Sequence, residues 1–134
     1  MAVTVLSGTS GALYYKPAGT TGTFGESDVT VADDEIPVQS YLNLQVGDPV
    51  VFSVVNSQTG GSGSGTLPAG ISPSTTYYVI SYTASTGVLQ VSATLGGASI
   101  TITDDGTANA PNEFQVAYAD YAAVGQVQSW SFEI

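Results

Sequence analysis

Cysteine and histidine are absent from this 134-residue chain. Without them there is no disulfide, no zinc site built on thiolate or imidazole, no Cys or His nucleophile and no histidine general base. Basic charge is nearly absent as well. Lys16 stands alone against eleven acidic residues, for a net charge of -10. Specific nucleic-acid binding needs Lys and Arg to neutralise phosphates, and attraction to anionic membranes needs the same, so neither is expected. Charged residues of both signs make up only 9% of the chain, against roughly 25% in a typical soluble domain. No apolar run approaches the roughly 18 residues that span a bilayer. The opening MAVTVLSGTSG lacks the basic stretch that precedes the apolar part of a signal peptide. Helical signal is missing too, because apolar residues at helical spacing are everywhere interrupted by Gly, Pro or β-branched runs.

What the chain does have is hydrophobic content, 43%, enough to pack the core of one domain of this length. That content falls in short alternating runs separated by Gly, Ser and Thr. Alternation with one wet face is the pattern of antiparallel strands. The clearest runs are 48–55, with Val50, Phe52 and Val54 on one face, and 76–82, where Tyr78, Ile80 and Tyr82 oppose Tyr77, Val79 and Ser81. In 88–93, Leu89 and Val91 point inward and Gln90 and Ser92 outward; 99–103 alternates Ile100 and Ile102 with threonines. Phe114, Val116 and Tyr118 form a face in 113–118, as do Trp130, Phe132 and Ile134 in 126–134. Weaker strands are read at 2–6, 12–15, 28–32 and 36–46. Trp130, Phe132, Phe52 and Ile80 are the expected core. Ser85-Thr86-Gly87 reads as a tight hairpin in which Gly87 supplies a positive φ, and TDDGT at 103–107 reads as a turn. The polar stretch 56–66, NSQTGGSGSGT, reads as a flexible loop. The expected fold is a single all-β domain over 1–134, an antiparallel β-sandwich or small β-barrel with little or no helix.

Constellations that carry chemistry are scarce. Asp33-Asp34-Glu35 and Asp104-Asp105-Gly106 offer oxygen ligands that calcium accepts, but neither has the spacing of an EF-hand loop, and adjacent aspartates in a turn are ordinarily just solvated. Serine is plentiful, yet without histidine only Lys16 could serve as its base, and Lys16 lies in a strand end and turn. Gly60 to Gly65 lack the GK[ST] and following helix of a phosphate loop. No residue is assigned as catalytic, no metal or cofactor is expected, and the chain is not read as an enzyme. The eight tyrosines are the remaining oddity. Interfaces are enriched in tyrosine and poor in charge at their centres, so Tyr14, Tyr15, Tyr77 and Tyr121 are candidate interface residues.

Two passages carry a family resemblance. The segment GTLPAGISPSTTYYVI (65–80) followed by LQVSATLGGASITITDDGT (89–107) resembles a module of tailed-bacteriophage virion proteins: LPAG, then TYYV, then an SAT-x-GG strand and a TD-x-GT turn. Pro68 and Gly70 make the first turn, Tyr77 to Ile80 the strand, and Gly96-Gly97 break the next one. The flanks SGTSGALYYKPAGTTGTFGESDVTV (7–31) and VGQVQSWSFEI (124–134) resemble the first part of phage tail tube proteins. That family continues past a strand of the latter kind into further strands, whereas Ile134 is the last residue here.

The resemblance implies a virion structural protein, assembled in the host cytoplasm, whose partners are copies of itself and other tail or capsid proteins. A tail tube subunit in stacked rings is the leading expectation; a head decoration (cement) protein is the alternative, and a carbohydrate-binding or adhesion module the second. For a tube, Asp33, Asp34, Glu35, Asp104 and Asp105 are candidates for an acidic lumen or surface that repels DNA phosphates and lets the polymer slide.

Overall fold

The longest strand, Pro49–Asn56, carries four valines and Phe52 and lies inside the sheet, paired on both sides. The computed structural model describes residues 21–119, in which six strands make one antiparallel sheet. They are β1 (Thr21–Phe24), β2 (Ile36–Pro37), β3 (Pro49–Asn56), β4 (Tyr77–Thr83), β5 (Val88–Ser92) and β6 (Asn112–Tyr118), in the spatial order β1-β6-β3-β4-β5-β2. Among the described residues the only helical pieces are short 3-10 turns at Glu26–Asp28, Val31–Asp33 and Ser40–Leu42. The all-β expectation holds. The runs read at 2–6, 12–15 and 126–134, with Trp130 and Phe132, lie outside the described residues.

The β3–β6 ladder runs from Val50 opposite Tyr118 to Asn56 opposite Asn112. Because side chains alternate across a strand, this register places Val50 and Phe52 on the same face as Phe114, Val116 and Tyr118, all of them buried. The neighbouring β1 adds Phe24, opposite Phe114. Aromatic rings then step across the sheet: Phe24 lies 5.2 Å from Phe114 and 6.1 Å from Phe52, and Phe52 lies 5.8 Å from Tyr77. These separations are those of favourable edge-on and tilted ring pairs. Leu67, Ile71 and Ile102 belong to the same core. They come from segments 66–71 and 102–107, which are joined by bridges from Thr66 to Thr107 and from Ala69 to Asp104. The LPAG turn is closed by Ile71 N–H donating to Pro68 O.

Several details depart from the sequence expectation. Of the 36–46 run only Ile36–Pro37 is a strand, and a 3-10 turn takes up Ser40–Leu42. Ile80 is only half-buried, because it is the extra residue of a β-bulge between Val79 and Ser81. The bulge reverses the alternation, so Tyr77 and Val79 face inward before it and Tyr82 packs on the core after it. Ser92 is buried at 2% exposure rather than outward, and its hydroxyl accepts the N–H of Thr94 as the chain folds back over it. The 28–32 run is not a strand; 3-10 turns occupy it, closed by a Thr30–Glu35 bridge. The 99–103 run is irregular, though Ile102 is buried and Ile100 packs on the core as its alternation implies. The 84–87 turn does join β4 to β5, with Gly87 at φ +79. A side chain there would also strike Val38 O at 2.0 Å, so only glycine fits.

Candidate functional site

Of the eleven acidic residues, all but Asp120 and Glu133 fall in the described region, and Lys16, the sole basic residue, does not. With no cation to pair with there, carboxylates find backbone N–H groups. Glu26 accepts from Ala108 at 2.9 Å, Asp28 from Gly25 at 2.8 Å, Asp34 from Ile102 at 2.8 Å, Asp48 from Gln45 at 2.8 Å and Asp104 from Gly106 at 2.7 Å. Hydrogen bonds to a charged acceptor are about twice as strong as neutral ones. Glu26 and Asp34 thus act as clamps between distant segments, while Asp28, Asp48 and Asp104 close local turns.

This divides the predicted acidic residues. Asp34 holds a left-handed backbone conformation, φ 56, at the end of the 31–33 turn. Its carboxylate ties that turn to the 99–102 segment, through Ile102 N–H and, at 3.4 Å, the Ser99 hydroxyl. Asp104 closes its own turn. Asp33 and Asp105 are exposed and Glu35 is half-buried. Asp33 contributes its backbone, its carbonyl accepting from Gln90 Nε2 at 2.9 Å. Among the described residues no three acidic side chains gather as a metal site would require.

The tyrosines divide as well. Tyr14, Tyr15 and Tyr121 lie outside the described residues. Tyr77 is not a surface residue: it is 4% exposed, packs on Phe52 and accepts the N–H of Ser72 on its hydroxyl. The interface expectation is corrected there, because the face of β4 that carries Tyr77 before the bulge is the inner one. Among the described residues the exposed phenol is Tyr41, at 69%, whose hydroxyl donates to Thr21 O at 3.2 Å.

A contact not visible in the sequence governs the rim of the sheet. The Gln39 side chain meets β1 at Thr23, its Oε1 accepting the Thr23 N–H and its Nε2 donating to Thr23 O, each at 2.8 Å. Gln39 follows β2, which lies at the opposite edge of the sheet. The sheet therefore curls far enough for the segment after β2 to reach β1, where a side-chain amide joins them. The Tyr82 hydroxyl donates to Gln39 O at 2.6 Å and fixes the backbone of that seam.

Two further apolar side chains are exposed, Val46 and Leu95. Comparison with protein-family models, with curated proteins and with solved structures returns no match.

Proposed function

We propose that the chain is a bacteriophage virion structural protein, in the first instance a tail tube subunit. The reading rests on the resemblance carried by residues 65–107 and on charge of one sign. The observation that carries it is that the described domain presents carboxylates and no basic side chain. In a ring, Asp33, Glu35 and Asp105 would give a lumen a potential that repels DNA phosphates and spares the polymer from sticking. Asp34 and Asp104 are committed to backbone N–H groups and add charge without being free to move.

A head decoration protein is the second reading, and the closed seam favours it. The outer edge of β1 is occupied by Gln39 and Tyr41, and β2 is two residues long and ends on Pro37. Such edges resist strand addition between neighbours, so contacts in this region would be made through faces and loops, as a capsid-clamping protein makes them.

Negative-stain microscopy of the purified chain, alone and mixed with phage capsids lacking decoration, tests both. Rings or tubes from the chain alone support the tube subunit. Saturable binding to capsids with no self-assembly supports decoration. A monomer that does neither overturns the proposal.

A further inference from the structure

Asp105-Gly106 is the one Asp-Gly or Asn-Gly pair in the chain, and the fold makes its glycine obligatory. Gly106 holds φ +81, a left-handed conformation that residues with a β-carbon rarely adopt. A β-carbon there would also come within 2.5 Å of Thr66 O and 2.8 Å of both Phe114 Cζ and Pro68 N, and Phe114 is a fully buried core residue that cannot give way. Asp105 itself is exposed. An exposed aspartate followed by glycine can react with its own backbone, since no side chain shields the glycine nitrogen. Gly106 N attacks Asp105 Cγ and a C–N bond forms. The hydroxyl of the protonated carboxyl group leaves as water with the amide proton, giving a succinimide. Water then opens the ring. Attack at the former main-chain carbonyl breaks its bond to Gly106 N and leaves isoaspartate, with the chain running through the side chain of residue 105. No oxidant or other reactant is needed.

The fold holds this turn against the reaction. On one side Thr66 and Thr107 each donate N–H to the other's carbonyl at 2.8 Å, and on the other Ala69 N–H donates to Asp104 O at 3.0 Å. Between these anchors Gly106 N–H donates to Asp104 Oδ1 at 2.7 Å. That bond fixes the Asp105–Gly106 peptide plane, which ring closure must turn. The anchors also make the product a poor fit. Residues 104–107 lie against 66–69, bridged at both ends with equal lengths of chain between, so the added main-chain carbon of isoaspartate has no counterpart opposite. We propose that Asp105 is a latent isoaspartate site, kept closed by the Asp104 carboxylate and the Thr66–Thr107 pair, whose conversion loosens residues 102–107 from 66–71.

The test ages the full chain at neutral pH and body temperature. Isoaspartate is counted by methyl transfer from an isoaspartyl methyltransferase and placed at residue 105 by electron-transfer fragmentation of chymotryptic peptides. The folded chain should convert at least about tenfold more slowly than the chain held unfolded in urea, because ring closure must wait for local opening. Asp104→Ala should raise the folded rate several-fold. Gln39→Ala, which loosens the seam at β1 and not this turn, should leave it unchanged. Aged chain enriched in isoaspartate should exchange its Thr66 and Thr107 amides faster than fresh chain. Equal rates folded and unfolded overturn the proposal. So does an unchanged or lower rate in Asp104→Ala; a lower one would make that carboxylate a base that assists the attack. An equal rise in Gln39→Ala would assign the reaction to global unfolding, and unchanged exchange after conversion would show the bridges to be indifferent to it; either result also overturns the proposal.

Discussion

Gln39 and Thr23 are joined by paired 2.8 Å hydrogen bonds in which a side-chain amide stands where a neighbouring strand's peptide group would be. Thr23 lies opposite Gln115 of β6, yet its N–H and C=O turn the other way, as they do at alternate positions of an antiparallel pair. Left open, they would be a template for another strand. Gly22, also on β1, leaves room for the cap: a β-carbon there would come within 2.7 Å of Gln39 Oε1 and 2.4 Å of Leu42 Cδ1.

Gln39→Ala should remove both bonds and uncover the edge. The expected cost is about 1–3 kcal/mol for strand groups left without a protein partner, read as a lower urea midpoint. Sedimentation velocity should also show more self-association than the unaltered chain at equal concentration. An unchanged midpoint with unchanged mass would mean that water replaces the amide at no cost.

Asp34 should matter and Asp33 should not, although they are adjacent and alike in sequence. Asp34→Ala removes a charge-assisted bond to Ile102 N–H and should cost about 1.5–3 kcal/mol. Asp34→Asn keeps an acceptor and should cost less. Asp33→Asn changes an exposed side chain and should stay within about 0.5 kcal/mol. Equal effects at both positions would show the acidic turn to be a solvated surface throughout.

Stability should fall in strong alkali through Tyr82. Burial pushes its hydroxyl above the ordinary phenol value of 10.0, against a lowering effect from a backbone hydrogen bond with Asn43. A pKa raised in the folded state means that the folded chain holds the proton longer than the unfolded one. Its contribution is therefore full below pH 10 and is lost as pH rises through the folded value. Denaturation midpoints measured from pH 8 to 12 should show a decline that Tyr82→Phe makes shallower. Parallel curves for the two proteins would assign the decline to other tyrosines.

Alternation alone made much of this fold legible. Phe52, Leu89, Val91, Phe114, Val116 and Tyr118 are buried where period-two spacing puts them, because each strand has a single wet face. Ile80 was not legible, since a bulge is set by pairing with β5 and leaves no local mark. Ser92 was not either, because its cover comes from residues folding back beyond it. The 28–32 run has the valines and threonine of a strand, but the Thr30–Glu35 bridge turns it back on itself. Of the candidate surface, the sequence marks the acids but not their roles. Whether a carboxylate clamps or merely faces water depends on which distant N–H reaches it, and Asp34 and Ile102 are 68 residues apart. Gln39 was hidden for the same reason. Nothing local marks Val46 and Leu95 as exposed: each precedes a glycine, but so does Phe24, which is buried.

The glycine-rich 56–66 stretch doubles back on β3, and Gly63 is where it presses closest. Gly63 N–H donates to Val54 O, and a β-carbon on Gly63 would lie 2.6 Å from the carbonyl carbon and oxygen of Val55. The rigid ladder between β3 and β6 cannot yield to it. Gly63→Ala should therefore cost about 1–3 kcal/mol, the range for overpacking, and should raise amide exchange at Asn56 and Gly63. Gly61→Ala is the matched control: its β-carbon would meet nothing closer than Thr59 Oγ1 at 3.7 Å, and its stability should be unchanged or slightly higher, since alanine restricts the unfolded chain. Thermal melts of the two variants side by side separate a loop packed on the sheet, where they differ, from one that merely links its ends, where they do not.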